Sequence, residues 1–315
     1  MKAVFYNSYG GPELLQVGIL PEPVPGPDQL LIQVKTVSIN PADYKILQGN
    51  LKMPTGSKFP HIPCSDFAGI VKETGSNIKE FAPCDKVYGF VSTILGKPGS
   101  LAELVLAIPG QVRKLPEGMA FEEAATLPGA SLTALNGLRK GGNLSGKSVL
   151  VNGATGGVGH FAVQIAHAAG AKVTAICSTA NIELARKFGA DLVIDYTKTD
   201  LSVWKTKYDV ILDAFGHMKQ ADARRMLNKH GVYTSTLFFG PAAKLVTLYN
   251  SLVYGKTLTS GNMRTETGDF EKIEALFKEG KLNPYVEKTF QIDQAQEAFR
   301  FFEKGKHRGK IVIRI

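Results

Sequence analysis

Apolar positions along the chain fall into two textures. Over residues 1–120 they come in short runs, Ala3–Tyr6, Gln29–Ser38, Phe67–Glu73, Lys86–Phe90 and Leu101–Leu106, with proline- and glycine-rich punctuation such as Pro21–Pro27 between them. Short runs bounded by turn formers predict strands, because proline removes a backbone donor and glycine permits the reversals that helices do not need. This portion therefore predicts a barrel-like or coiled antiparallel sheet with few long helices.

From residue 121 the period changes. Phe121–Ala125 and Ser131–Leu138 have helical spacing; Ser148–Val151 is apolar throughout; His160–Ala169 is a helix stopped by Gly170. Strand Lys172–Ile176, helix Ile182–Phe188, and strands Leu192–Ile194, Tyr208–Leu212 and Gly231–Ser235 continue the alternation. Strands apolar on both faces, separated by helices, predict a parallel sheet covered on both sides, a doubly wound α/β domain. After residue 263 come helices at Asp269–Phe277 and Gln294–Phe302 and a closing strand Lys310–Ile315. That strand needs a sheet to join, and the first portion offers one. The expected organisation is a β-rich domain of residues 1–120 plus 264–315, interrupted by an α/β domain of residues 121–263.

A length of 315 residues suits two cores, since one core stops growing usefully beyond roughly 250–300 residues. The 44 % apolar and 21 % charged shares describe an ordinary globular chain. The N-terminus carries no apolar export segment and no run approaches a membrane span, so a cytoplasmic protein with no membrane span is expected. The three cysteines, Cys64, Cys84 and Cys177, lack CxxC spacing and argue against a disulfide framework or a cysteine zinc lobe. The net charge of +9 is spread out, densest at Lys304–Lys310, and no basic–aromatic clustering marks a nucleic-acid partner.

The candidate chemistry starts at Gly153-Ala154-Thr155-Gly156-Gly157-Val158-Gly159, between strand Ser148–Val151 and the following helix. Glycine there lets the chain reverse, the backbone approach a pyrophosphate, and the helix sit close on the strand, while the helix N-terminus offers N–H groups to phosphate. A tight structural turn is the alternative, but the flanking strand, helix and second βα unit favour a dinucleotide. About 20 residues beyond the last glycine, NAD-binding chains place an acidic residue on the ribose. Here stand Cys177-Ser178-Thr179-Ala180-Asn181, whose hydroxyls and amide can donate to a 2′-phosphate. NADP(H) is therefore expected, held by Gly153, Ala154, Thr155, Gly156, Gly157, Val158, Ser178, Thr179, Asn181 and Tyr196. The strand ends Ala214, Phe215, Leu237 and Phe238 complete the expected cofactor wall, with Phe238 and Phe239 open to reading as core or as a substrate wall.

Further segments carry a resemblance: Met1–Ala3, Ser38–Lys45, Ile62–Gly69, Leu127–Ala134, the glycine turn, Gly189–Asp191 with Asp195–Tyr196, and Gly309–Val312. In this order they resemble the medium-chain dehydrogenase/reductase superfamily, specifically its zinc-free quinone oxidoreductase branch, including chloroplast-envelope quinone-oxidoreductase-like proteins. The resemblance implies a Rossmann-type doubly wound sheet inserted into a β-rich GroES-like catalytic domain. It places Asn40 where zinc alcohol dehydrogenases have a ligand cysteine and Ser65 where they have a histidine, and no four-cysteine loop lies between Asp85 and Leu101. No metal is expected. The resemblance also nominates Asn40, Asp43, Tyr44 and Lys45 as catalytic candidates and Thr133 near the cofactor. Tyr44 reads equally as a proton donor or a packed aromatic, and Lys45 as a charge stabiliser or a solvent-facing side chain.

The implied activity is hydride transfer from NADPH to a quinone or an α,β-unsaturated carbonyl (enone or enal), with donors where negative charge develops. The alternative is an NADPH-binding redox sensor or structural protein with little turnover. The segment Thr257–Ser260 is expected at the edge of the parallel sheet, where pairing with its copy gives a homodimer. Loops around Met53, Thr93–Pro98 and Phe239–Leu248 would shape the substrate pocket.

Overall fold

The computed structural model describes residues 1–56, 58–93, 96–236, 241–260, 266 and 268–315. Leu237 and Phe238, expected in the cofactor wall, and Phe239 lie outside the described residues. The chain divides into two compact units, residues 1–129 with 284–315, and residues 130–283.

The chain opens with β1 (Lys2–Phe5), β2 (Gln16–Ile19), β3 (Leu30–Ser38), α1 (Pro41–Leu47), α2 (Lys52–Thr55), β4 (Asp66–Thr74), β5 (Lys86–Phe90), β6 (Leu104–Ala107), β7 (Val112–Lys114), α3 (Phe121–Ala124) and α4 (Leu127–Arg139). It continues through β8 (Ser148–Asn152), α5 (Gly159–Ala168), β9 (Lys172–Cys177), α6 (Ile182–Lys187), β10 (Leu192–Asp195), β11 (Tyr208–Asp213), α7 (Gln220–Met226), β12 (Leu227–Ser235), α8 (Pro241–Tyr254), β13 (Thr257–Ser260) and α9 (Asp269–Lys278). It closes with β14 (Val286–Gln291), α10 (Ala295–Glu303) and β15 (Lys310–Arg314).

In the β-rich unit, seven strands form one sheet in the order β14-β15-β3-β4-β5-β7, with β6 also on β3. The closing strand β15 lies antiparallel on β3, pairing Val312 with Ser38, and on its other side runs parallel to β14. Its core gathers Val4, Tyr6, Ile32, Phe67, Val87, Phe290, Phe299, Ile311 and Ile313, each such side chain contributing roughly 1.5–3 kcal/mol on full burial. β14, Val-Glu-Lys-Thr-Phe-Gln, has no apolar run to announce it, as befits a strand at the sheet's end carrying charges.

The α/β unit holds six parallel strands in the order β10-β9-β8-β11-β12-β13, with β13 at one end. The order reverses between β8 and β11, so a crevice opens at the carboxyl ends of those strands. The segment up to Leu248 expected as a loop is instead part of α8 from Pro241 onward. Its polar residues Lys244, Thr247, Asn250 and Ser251 fall at helical spacing on one face of an otherwise apolar run, the pattern of an amphipathic helix. β12 also begins earlier than expected, at Leu227, directly after α7. Among the described residues no helix is long and apolar enough to cross a membrane.

Candidate active site

In the α/β unit the glycine turn follows β8 as the strand pattern requires. Gly153 has φ +72°, and a Cβ there would lie 3.0 Å from Cβ of Phe215. At Gly159 a Cβ would sit 2.0 Å from the Gly153 carbonyl oxygen, so only glycine lets α5 start against the strand end. Gly156 is different: the nearest atom to its would-be Cβ is the Gly153 oxygen at 3.4 Å, leaving the turn's outer side open. Ala154 and Thr155 are buried, with the Ala154 N–H donating to Ile176, and no side chain caps the first turn of α5 at Val158. Those first-turn N–H groups suit a pyrophosphate. The residues fit a dinucleotide.

Beneath the turn lies a buried network. Asp213, at the end of β11 and fully buried, accepts from Asn152 Nδ2 at 2.7 Å, the backbone N–H groups of Gly216 and Met218 at 2.8 and 2.9 Å, and the Tyr233 hydroxyl at 2.9 Å. It fixes the Ala214–Gly216 turn, in which Phe215 stays 60 % exposed beside Gly153. Thus Ala214 and Phe215 are brought to the glycine turn, and Asn152, Asp213 and Tyr233 are supports that the linear pattern did not single out. Thr133 sits half-buried in α4.

Ser178, Thr179, Asn181 and Tyr196 gather at the carboxyl ends of β9 and β10. Asn181 Nδ2 donates to Ser178 Oγ at 3.2 Å, and the Tyr196 N–H donates to the Cys177 carbonyl, with the tyrosine 56 % exposed. A carboxylate stands here after all: Asp195 accepts from the hydroxyls of Thr179 and Thr197 at 2.5 and 2.6 Å. Those hydroxyls hold its carboxyl below the usual range, and the charge of Lys198 acts in the same direction. The expectation that no acidic group serves this corner holds for the β9 loop alone, because parallel pairing of β9 with β10 sets Asp195 level with Cys177.

In the β-rich unit, strand register assembles a second cluster. β3 ends at Ser38, flanked by β15 on one side and by Asp66 of β4 on the other. Asn40 then starts α1, with Pro41 in the first turn and Asp43 reaching back to accept from the Asn40 backbone N–H at 2.8 Å. Asn40 Nδ2 donates to Asp66 Oδ2 at 2.8 Å; the same oxygen accepts from the Gly129 N–H at 3.1 Å and Ser38 Oγ at 3.3 Å. Ser65 Oγ donates to Asp43 Oδ1 at 3.3 Å. Lys310 Nζ, from β15, donates to Asn40 Oδ1 at 2.6 Å and to the Ile39 carbonyl at 3.1 Å.

Asp43, Asp66 and Lys310 are at most 3 % exposed. Burial, reinforced by the Asp66 charge, pushes the Asp43 carboxyl up to about 7. Burial also raises Asp66 and lowers Lys310, while the Lys310 ammonium draws Asp66 back toward the charged form. Two carboxylates, one ammonium and an amide thus share one dry region. Tyr44 is turned elsewhere, donating to Glu303 and accepting from Gln48 Nε2 at 2.9 Å, with its ring against Phe302. Burial and Glu303 push its hydroxyl up to about 12. Lys45, on the same helix, is partly exposed. Asn40 and Asp43 belong to the cluster; Asp66 and Lys310 join them through strand register, a signal the linear pattern hides.

A switch-point glycine turn on a parallel sheet, with a polar cluster carried by a β-rich unit, defines a dinucleotide-dependent oxidoreductase fold. Residues 26–117 match the alcohol dehydrogenase GroES-like domain and residues 188–313 the zinc-binding dehydrogenase family. The chain is 33 % identical to a chloroplast envelope quinone oxidoreductase homolog of Arabidopsis thaliana, covering 99 % of this chain and 98 % of that one. It is 36 % identical to the chloroplastic NADPH-dependent alkenal/one oxidoreductase of the same plant, over 99 % of this chain and 79 % of the relative. The solved quinone oxidoreductase of Coxiella burnetii is similar with a TM-score of 0.92 at 29 % identity, covering 100 % of this chain and 99 % of that one. The chain belongs to the medium-chain dehydrogenase/reductase superfamily, alongside its quinone oxidoreductases.

The zinc in one family description does not fit these residues. Zinc takes deprotonated cysteine, neutral histidine or carboxylate, whereas Asn40 and Ser65 offer an amide and a hydroxyl and the Lys310 ammonium already occupies the cluster. The neighbouring Cys64 thiol is pushed up by burial, away from a thiolate. Among the described residues, no three His, Cys, Asp or Glu side chains are grouped to hold a metal ion.

Proposed function

We propose that this protein is a zinc-independent reductase that uses NADPH to reduce quinones or α,β-unsaturated carbonyls. The observation that carries the reading is the Asn40 cluster: where a metal-dependent relative needs ligands, this chain holds hydrogen-bond donors fixed by buried charges. Relatives named as quinone and NADPH-dependent alkenal/one oxidoreductases support it.

In this reading the α/β unit, from residue 130 to residue 283, binds the cofactor and the β-rich unit meets the acceptor. When bound, NADPH supplies a hydride to an electrophilic carbon. The glycine turn and α5 N-terminus hold the pyrophosphate, and Ser178, Thr179, Asn181 and Tyr196 surround the 2′-phosphate, with Lys198 offsetting Asp195. Asn40 donates to the oxygen on which enolate or hydroquinone charge develops. Asp43 holds a proton near neutrality, and solvent completes protonation of the product. Tyr44 serves packing, given its bonds to Glu303 and Gln48.

Titrating NADPH and NADH against the protein, then following NADPH oxidation with a panel of quinones and enones, tests the proposal. Tight NADPH binding with turnover on at least one acceptor class is expected. Tight binding with no turnover on any acceptor would replace the reductase with a redox sensor. The same proposal includes a homodimer joined through β13, supported by that strand's place at the end of the parallel sheet; a monomer mass in light scattering removes it. It also includes a cytoplasmic location, which imaging of a tagged full-length chain tests.

A further inference from the structure

Lys310 is a costly residue to bury: an ammonium taken out of water must recover its hydration through close partners. It sits 3 % exposed in a strand whose next residues, Ile311, Val312 and Ile313, are core. Its position follows from register. Antiparallel pairing of Val312 with Ser38 carries β15 back so that the Ile39 N–H donates to the Ile311 carbonyl, and Lys310 arrives level with Asn40. On the opposite side of β3, pairing of Ser38 with Asp66 brings a carboxylate to the same level.

Asn40 therefore has a cation at one end of its amide and an anion at the other. Its Oδ1 accepts from Lys310 Nζ at 2.6 Å and its Nδ2 donates to Asp66 Oδ2 at 2.8 Å. A flip of the amide would set N–H against ammonium and oxygen against carboxylate, two like-polarity contacts in a dry site, so only one orientation is tenable. Gly129 closes the amide's side: a Cβ there would fall 3.1 Å from Asn40 Nδ2, 3.2 Å from Oδ1 and 2.7 Å from Asp66 Oδ2. An amide NH₂ carries two hydrogens, and Asp66 takes one. The other has no protein acceptor among the described residues.

We infer that Lys310 is a positioning residue which, with Asp66, locks the Asn40 amide so that one side-chain N–H, and no flipped carbonyl, is presented to the substrate oxygen. This rests on the reductase reading for its consequence, though not for its geometry. The lock makes Asn40 a donor toward an oxygen that gains negative charge. It also explains why two buried charges are kept where apolar residues of similar size would pack.

Two measurements test it. In the unliganded protein, with Asn40 side-chain resonances assigned by their loss in Asn40→Ala, ¹⁵N NMR should show one Nδ2 proton protected from solvent exchange and the other exchanging freely. Equal exchange of both protons overturns the lock, and this readout needs no turnover. In the second, kcat with a reducible enone is compared across Lys310→Met, Asn40→Ala and their double variant. Lys310→Met should lower kcat about tenfold or more, as loss of a well-aimed donor does, with NADPH affinity within about twofold. In the Asn40→Ala background the same change should alter kcat less than about twofold, because the group it positions is gone. Equal losses in both backgrounds, or an unchanged kcat in the first, overturn the positioning role. If Lys310→Met does not fold, the charge-matched pair Lys310→Met with Asp66→Asn takes its place in the same cycle. A protected Nδ2 proton alongside no turnover on any acceptor leaves the lock standing and removes the reductase instead.

Discussion

The two candidate sites are built from opposite materials. In the α/β unit the candidate binding surface is backbone: glycines at Gly153 and Gly159 allow a turn no side chain could make, and no side chain caps the first turn of α5. In the β-rich unit the surface is side chain: Asn40, Asp43, Asp66 and Lys310 are buried polar groups whose positions come from three strands pairing in register. The contrast teaches that a cofactor common to many reactions is held by geometry intrinsic to a βα unit, whereas chemistry specific to one reaction is set by charges that only the folded sheet assembles.

The largest expected break in that contrast is at the glycines. Gly159→Ala places a methyl 2.0 Å from a carbonyl oxygen, so the variant should lose at least about 1–3 kcal/mol of stability, as overpacking does, and lose NADPH binding with it. Gly156→Ala meets nothing closer than 3.4 Å; its melting temperature should match the native protein while NADPH affinity falls. Equal melting temperatures for the two variants would show that close approach at Gly159 is not what the turn requires.

Next in size is Asn181→Asp. A carboxylate at this corner should weaken NADPH about tenfold, ~1.4 kcal/mol, and leave NADH within about twofold. Equal weakening of both cofactors, read by fluorescence titration, would remove the 2′-phosphate from this corner.

A smaller effect concerns pH. The Asp43 carboxyl titrates at about 7 in the folded chain and near ~3.9 when unfolded. A raised folded value means the native state binds the extra proton, so the stability from protonation is full below about pH 4 and lost as pH rises through about 7. Asn at this position pays no such ionisation cost. The melting temperature of Asp43→Asn minus that of the native protein should therefore grow between pH 5 and pH 8; a constant difference contradicts the burial account.

Smallest of all is Tyr44→Phe. With its hydroxyl on Glu303 and Gln48, turnover should stay within about twofold and only a hydrogen bond's worth of stability, about 1 kcal/mol, should be lost. A large fall in kcat would return Tyr44 to the chemistry.

Much of the α/β unit was legible in the chain because its signals are local. Apolar strands, glycine stops and the turn at Gly153–Gly159 each show within a few residues; the closing strand's need for a sheet pointed only to the first portion, and the structure supplies β3 as its antiparallel partner. What stayed hidden depends on contacts far apart in sequence. Asp195 comes beside Thr179 only through β9–β10 pairing, and Lys310 reaches Asn40 across 270 positions. Asp213 reads as one more strand-end residue until its four donors are counted in space. Helix α8 is a different case: the helical spacing of Lys244, Thr247, Asn250 and Ser251 is a local signal that the loop expectation passes over.

The central claim, hydride transfer from NADPH to an activated carbon of the acceptor, is tested most directly by isotope. NADPH carrying deuterium at the transferable C4 position is mixed with the protein and a reducible enone in ordinary water, and the product is read by NMR and mass spectrometry. Deuterium at the β-carbon with a solvent proton at the α-carbon is the predicted result. A product without deuterium, or NADPH left unoxidised in the presence of every enone and quinone offered, contradicts it.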